Sequence, residues 1–397
     1  MKVVYKVSKH PLADDDEHTY ILTGEFRMRN IIRIAAAFSL SAILAACSFP
    51  GGINQTSIDN GNIVSTASTN TSNQGYVYTA NENDNTISAI DIGTGRVKNI
   101  PTDITPHNIQ ISSDGKTLFA VGPVAHSVAY SSSRKAPKTH EKARGKLIII
   151  DAETLAPGKT AEIEIGYHPA HVIVDWQDRL AYTTNSDENS MLVVDIVQKK
   201  VVATIKTGAF PHGLRMSPNG REIYVANVKD DSVSVIDTRF SREVARIPVG
   251  KAPVQVAFAP NGRYVYVTLR DENKVAVIES ASRKTLTTIT VGRKPIQIYV
   301  SPDGKYAYVA NQGTTTEPDN TVSVIDTQKN IVMATITTGK GAHGVVLSDD
   351  GKRVYISNIA DNTVSIIDTA RNQVIGNVNV GKGPNGITFR RSNLTKM

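Results

Sequence analysis

One stretch of 42 residues, Glu222 to Arg263, is followed from Tyr264 to Lys305 by a near copy of itself. Self-similarity at a period of this size commits a chain to a repeat architecture, in which each unit stacks on its neighbours instead of enclosing a core of its own. The aromatic residue of one strand recurs at Tyr78, Phe119, Tyr182, Tyr224, Tyr266, Tyr308 and Tyr355, at intervals of 41, 63, 42, 42, 42 and 47 residues. The chain is therefore one unit written seven times with two insertions.

Each unit reads as four short strands. In the copy around residue 253, Val254, Val256 and Phe258 alternate with Gln255 and Ala257, a period-2 strand called A here. Pro260-Asn261-Gly262 then predicts a hairpin turn, because proline presets the first central φ and glycine tolerates the positive one. Ser217-Pro218-Asn219-Gly220 and Ser301-Pro302-Asp303-Gly304 repeat this turn, and Trp176-Gln177-Asp178 departs from it. Strand B is Tyr264 to Thr268, strand C Lys274 to Ile278 and strand D Thr285 to Val291. An acid follows strand C in every copy: Asp91, Asp151, Asp195, Asp237, Glu279, Asp326 and Asp368. Seven acids in register suggest catalysis, yet a carboxylate at a hairpin corner also accepts backbone N–H groups, and that structural role is the expectation.

A four-stranded meander cannot bury both faces alone, so seven of them predict an all-β, seven-bladed β-propeller with four-stranded antiparallel blades. The repeat starts on strand B, at Tyr76, and ends on strand A, at Gly386 to Phe389. The C-terminal strand is therefore expected to complete the N-terminal blade and close the ring.

The repeats resemble the YVTN family of β-propeller repeats on Tyr224-Val225-Ala226-Asn227, Val235-Ile236-Asp237-Thr238, Pro253 and Ser301-Pro302-Asp303-Gly304, across Gly75 to Phe389. The resemblance implies the fold and leaves the activity open, since such propellers include binding, surface and enzymatic proteins.

The first 74 residues have a different character. Met28-Arg29-Asn30-Ile31-Ile32-Arg33 is a basic start, Ile34 to Ile43 an apolar run, and Leu44-Ala45-Ala46-Cys47 its end, the layout of an export signal. The last four residues resemble the lipobox of bacterial lipoproteins, which implies lipidation of Cys47 and a membrane anchor. Ser48 after the cysteine implies the outer membrane, facing periplasm or surface. The expected divisions are an extension before the true start (1–27), signal peptide (28–46), flexible tether (47–74), propeller (75–390) and tail (391–397). With one cysteine the chain can form no intrachain disulfide, so packing alone must hold an exported propeller, expected to be monomeric.

In a propeller strand A is innermost, and the D–A and B–C loops share one face. The residue after the D–A proline should then surround the mouth of the central channel. Around the ring it is His107, Ala170, His212, Val254, Ile296, His343 and Asn385, with His168 and His171 flanking Ala170. His126 and His140 fall in the long B–C insertion on the same face. Neutral imidazoles from adjacent blades, His107, His171 (or His168) and His212, could bind copper or zinc. The leading alternative is that histidines at a wet mouth simply hydrogen-bond backbone and water. Nitrous oxide reductase is a propeller enzyme with histidine-bound copper, but this sequence lacks that family's histidine pairs and cupredoxin domain.

The same face carries Lys251, Arg293, Lys294, Lys340 and Lys382 in D–A loops, and Arg134 and Lys135 head the basic insertion, within an overall charge of +7. An anion is the natural partner of lysine charge and exposed glycine N–H groups. One bacterial YVTN-type propeller binds nucleic acid, and a basic face suits that, but aromatic residues for base stacking are sparse. The leading expectation is an envelope-anchored propeller that binds a protein or anionic ligand at its channel mouth, leaning away from catalysis and needing no cofactor. Its rivals are an enzyme using the histidines, copper- or zinc-dependent or lactonase-like, and a polyanion binder.

Overall fold

The structure, a computed structural model, describes residues 75–125, 144–155 and 161–391. The signal segment, Cys47, the tether, and the insertion residues His126, Arg134, Lys135 and His140 lie outside them. The described residues form seven four-stranded antiparallel sheets. Blade 1 joins the C-terminal strand Pro384–Arg391 to Gly75–Asn81, Thr86–Asp91 and Val97–Pro101, with Val77 opposite Phe389 and Tyr78 opposite Thr388. The expected closure is therefore present, and strand A runs on to Arg391. Blades 2 to 7 follow in sequence order; blade 4, for example, is Pro211–Met216, Glu222–Asn227, Ser232–Asp237 and Arg242–Pro248. No helix among the described residues is long and apolar enough to cross a membrane.

The core lies between blades. Tyr224, Val233 and Val235 of blade 4 pack with Val256, Val265 and Val267 of blade 5 in one cluster. The recurring aromatics are its anchors, each between 0 and 4% exposed. Truncating such a residue to alanine costs about 3–5 kcal/mol through lost contact and cavity. The alternation within strand A has a different meaning from the half-buried pattern it suggests. Val254, Gln255, Val256 and Ala257 are all buried, because an innermost strand faces a neighbouring blade on either side. One-sided alternation appears instead on outer strands such as Ile331–Thr337.

The motif residues are structural. Asn227 Nδ2 donates to Ser232 Oγ at 3.0 Å and Ser234 Oγ at 2.9 Å, tying strand B to strand C, and Asn81, Asn311 and Asn358 do the same. Gly208 of the D–A loop lies directly over that amide: a Cβ there would sit 2.5 Å from Asn227 Nδ2. The acids after strand C fix their turns as expected. Asp91 Oδ1 accepts from the Gly93 and Thr94 amides, and Asp326 Oδ1 from Gln328 and Lys329. Glu279, one methylene longer, accepts instead from the Ser282 hydroxyl. In the departing turn Asp178 itself takes the positive φ, 53°, that Gly220 supplies elsewhere.

Candidate functional site

The threonine of the repeat motif sets the backbone of the channel mouth. Thr184, on strand Leu180–Asn185 of blade 3, donates its hydroxyl to the His212 carbonyl at 2.6 Å and accepts from the His171 amide at 3.1 Å. Ser357 likewise links the Gly344 amide to the Asn385 carbonyl. A fold-maintaining residue thus pins neighbouring A strands at the positions where the histidines occur.

Three imidazoles converge there, from blades 2, 3 and 4. His107, His171 and His212 each offer a ring nitrogen, and these nitrogens all lie within 4.8 Å of one another. The closest pair is His107 Nε2 and His212 Nε2, at 3.2 Å. Both rings are oriented from behind. His107 Nδ1 lies 2.5 Å from Glu82 Oε1, and His212 Nδ1 lies 3.3 Å from the Val254 carbonyl. A carbonyl can only accept, so His212 carries its proton on Nδ1 and presents the Nε2 lone pair to His107. His171 is only 1% exposed, and neither of its ring nitrogens has a hydrogen-bond partner. Leaving such groups unpaired is costly, and native interiors seldom do it without a ligand or function.

The electrostatics separate His107 from the rest. Burial opposes its charge, but the Glu82 carboxylate prevails and raises its pKa. Burial likewise works to raise Glu82, while the His107 charge and hydrogen bond, with Asn385, hold it at about 2. Burial first, and the neighbouring imidazoles second, drive His171 and His212 well below the ordinary histidine value. His343 is lowered to about 4 by burial and by the His107 charge. The mouth thus holds one imidazolium–carboxylate pair among neutral imidazoles.

His343 and Asn385 complete the surroundings. Asn385 Nδ2 donates to Glu82 Oε2 at 2.9 Å, and the buried His343 ring bonds to the Asn385 backbone while its Nδ1 is left unpaired. His168 does not join: its backbone has φ 52°, its Nδ1 lies 3.7 Å from Asp187, and its ring packs edge-on to Phe210. Glu82 is the residue that histidine counting misses. It stands four residues beyond the strand-B aromatic, where the other copies have Pro123, Ser186, Val228, Arg270, Gln312 and Ile359. As the one acid at that position, it was findable by the same search for departures from the repeat.

The basic rim is largely self-paired. Lys251 Nζ meets Asp231 at 2.5 Å, Lys294 meets Asp271 at 3.0 Å, and Arg293 reaches Glu317 and Asp319 at 3.3 and 3.5 Å. The backbone amides of Lys340 and Lys382 are bonded to Asp361 and Asp84, each at 2.7 Å. Acids of the B–C loops thereby engage both charges and N–H groups of the D–A loops.

Seven such blades define the chain as a β-propeller repeat protein. Residues 144–305 match the family described as YNCE-like beta-propeller, and residues 267–382 match the cytochrome D1 heme domain. No curated protein matches the chain. Among solved structures, hydrazine synthase of Kuenenia stuttgartiensis is 23% identical with a TM-score of 0.60, over 72% of this chain and 90% of that one. A functionally unknown protein from Desulfotomaculum acetoxidans is 18% identical with a TM-score of 0.64, over 80% and 99%. A candidate 6-phosphogluconolactonase from Bacteroides uniformis is 16% identical with a TM-score of 0.63, over 80% and 99%. At these identities the likeness is one of fold.

The haem named by the second family does not fit the residues present. The matched stretch contains one histidine, His343, which is 5% exposed and enclosed by Asn385 and the Glu82–His107 pair. A macrocycle needs an open face beside its axial ligand, which a side chain 5% exposed does not offer.

Proposed function

We propose that this protein is an envelope-anchored propeller that holds a zinc or copper ion at its channel mouth, on His107, His171 and His212. The observation that supports this reading is the pair of Nε2 atoms 3.2 Å apart, each set by a hydrogen bond behind its ring. Two nitrogens bound to one tetrahedral ion at ~2.05 Å stand roughly 3.3 Å apart, so this separation suits shared coordination. A carboxylate or carbonyl behind each ligating imidazole is the usual support of such sites. Binding replaces the proton now shared between His107 and His212 and provides a partner for one of the two ring nitrogens that His171 leaves unpaired. Three neutral nitrogens favour zinc or copper over calcium or magnesium, which take oxygen ligands. Three protein ligands also leave a fourth position for water or an exchangeable ligand, the arrangement that permits either ligand capture or hydrolysis.

The test is a calorimetric titration of the propeller, made without an affinity tag, with Zn²⁺ and with Cu⁺ under reducing conditions. One site per chain is expected, abolished by His212→Ala and kept by His168→Ala. Equal binding by wild type and His212→Ala would defeat the reading.

A further inference from the structure

The channel has a second chemically distinct level. Three residues beyond each mouth position, strand A reaches another ring, which holds Gln110, Arg215, Tyr299 and Thr388 from blades 2, 4, 6 and 1. This ring lines a cavity of about 310 Å³ near the A–B turns, at the opposite end of strand A from the histidines. Arg215 stands out there. It is half-buried, and neither its guanidinium nor the Tyr299 hydroxyl has a hydrogen-bond or ion-pair partner among the described residues. Among the described lining residues the one carboxylate, Asp349, is engaged by Arg391 Nε at 3.1 Å. Thr388 accepts from the Ile111 amide at 3.3 Å, which leaves its hydroxyl proton to donate. The remaining wall is mixed: Ile173, Met216, Val346 and Ile387 form an apolar side, and Ser112 and Ser113 a polar one, the Ser112 hydroxyl being spent on Asp114.

A cation partly withdrawn from water and without a counter-ion is better solvated when an anion meets it. Burial already pushes the Arg215 guanidinium below its ordinary pKa, the direction expected of a charge without a counter-ion. The volume lies at the lower end of the range for small-molecule pockets, roughly 300–1,000 Å³, and an apolar side beside a few convergent donors is their usual chemistry. We propose that this cavity binds a small monocarboxylate with an apolar body, its carboxylate on Arg215 and Tyr299. A planar carboxylate matches the guanidinium fork, and the side formed by Ile173, Met216, Val346 and Ile387 takes the rest of the molecule. This second site rests on other residues than the metal reading and stands or falls separately.

Octanoate and octanol serve as probes, matched in length and differing in charge, titrated into the purified propeller with and without EDTA. Octanoate is expected to bind with about millimolar or better affinity, independently of the chelator, and octanol at least about tenfold more weakly. Arg215→Met should weaken octanoate at least about tenfold, and Tyr299→Phe severalfold, with melting temperature retained. Should Arg215→Met fail to fold, Arg215→Lys tests the same contact, since it keeps the charge and loses the fork; severalfold weakening supports the site. Unchanged affinity in the arginine variants, equal binding of octanol, or no octanoate binding by about 10 mM overturns it.

Discussion

His107 Nε2 lies 3.2 Å from His212 Nε2, although the two residues are 105 positions apart and belong to blades 2 and 4. Blade 3 supplies His171 between them, its ring centroid 5.8 Å from His107 and 4.7 Å from His212. The repeat delivers each backbone to the same level of the channel, and the substitutions at that level supply the chemistry. Behind this pair stand Glu82 and the Val254 carbonyl, which decide where the protons sit.

Glu82 acts through His107. Glu82→Gln removes the charge that outweighs burial at that imidazole, so the His107 pKa should fall. Removing the outer partner of a metal-binding histidine typically weakens binding about 10–100-fold. Side-chain NMR titration of His107 and a Zn²⁺ titration together check this; an unmoved pKa or an unchanged affinity would count against the assigned role.

His171 is held at the expense of stability. Both ring nitrogens are buried without partners, so His171→Leu should leave the metal-free protein as stable as wild type, or about 1–2 kcal/mol more so, while metal binding is lost. Urea melts in EDTA read the first part. A loss of several kcal/mol would mean that the ring makes contacts the structure does not contain.

Acid should weaken the fold. The pKa of His343 in the folded protein is about 4 against an ordinary 6.5, so between those values the unfolded chain binds the proton and the folded one does not. Its contribution is intact above pH 6.5 and is lost progressively as pH falls toward 4, on the order of 3 kcal/mol in full. His171 and His212 shift in the same direction. His107, raised by Glu82, runs oppositely: its stabilisation is present below pH 6.5 and is lost as pH rises through its folded value. Three groups outweigh one, so urea melts should show lower stability at pH 5 than at pH 7, and His343→Gln should flatten the difference. A rise in wild-type stability on acidification would contradict the assignment.

Ring closure can be tested by truncation. Deleting residues 383–397 removes the strand paired with Gly75–Asn81 and exposes a B-strand edge in blade 1. The product should lose its cooperative melt or associate through that edge; a monomer melting as wild type would refute the closure.

The fold was legible because a repeat states its geometry seven times. Asn227, Thr184, Gly208 and Asp91 each have a structural partner that explains their recurrence. The mouth was legible only in part. The period placed His107 and His212 at one level, but whether His168 or His171 turns inward depends on a single positive φ, which residue types do not display. Glu82 was missed because it belongs to a different loop from the histidines it serves. The pairing of rim lysines was also hidden, since Lys251 and Asp231 are 20 residues apart on successive blades. The Arg215 cavity has a similar cause: its members are ordinary strand residues that the ring alone brings together.

The most direct test of the central claim is the metal content of the untagged propeller, loaded with zinc or with copper, freed of excess ion by desalting and measured by mass spectrometry. About one ion per chain is expected in wild type and essentially none in His171→Leu. A substoichiometric ion in the loaded wild type, or equal content in the two proteins, would contradict the account.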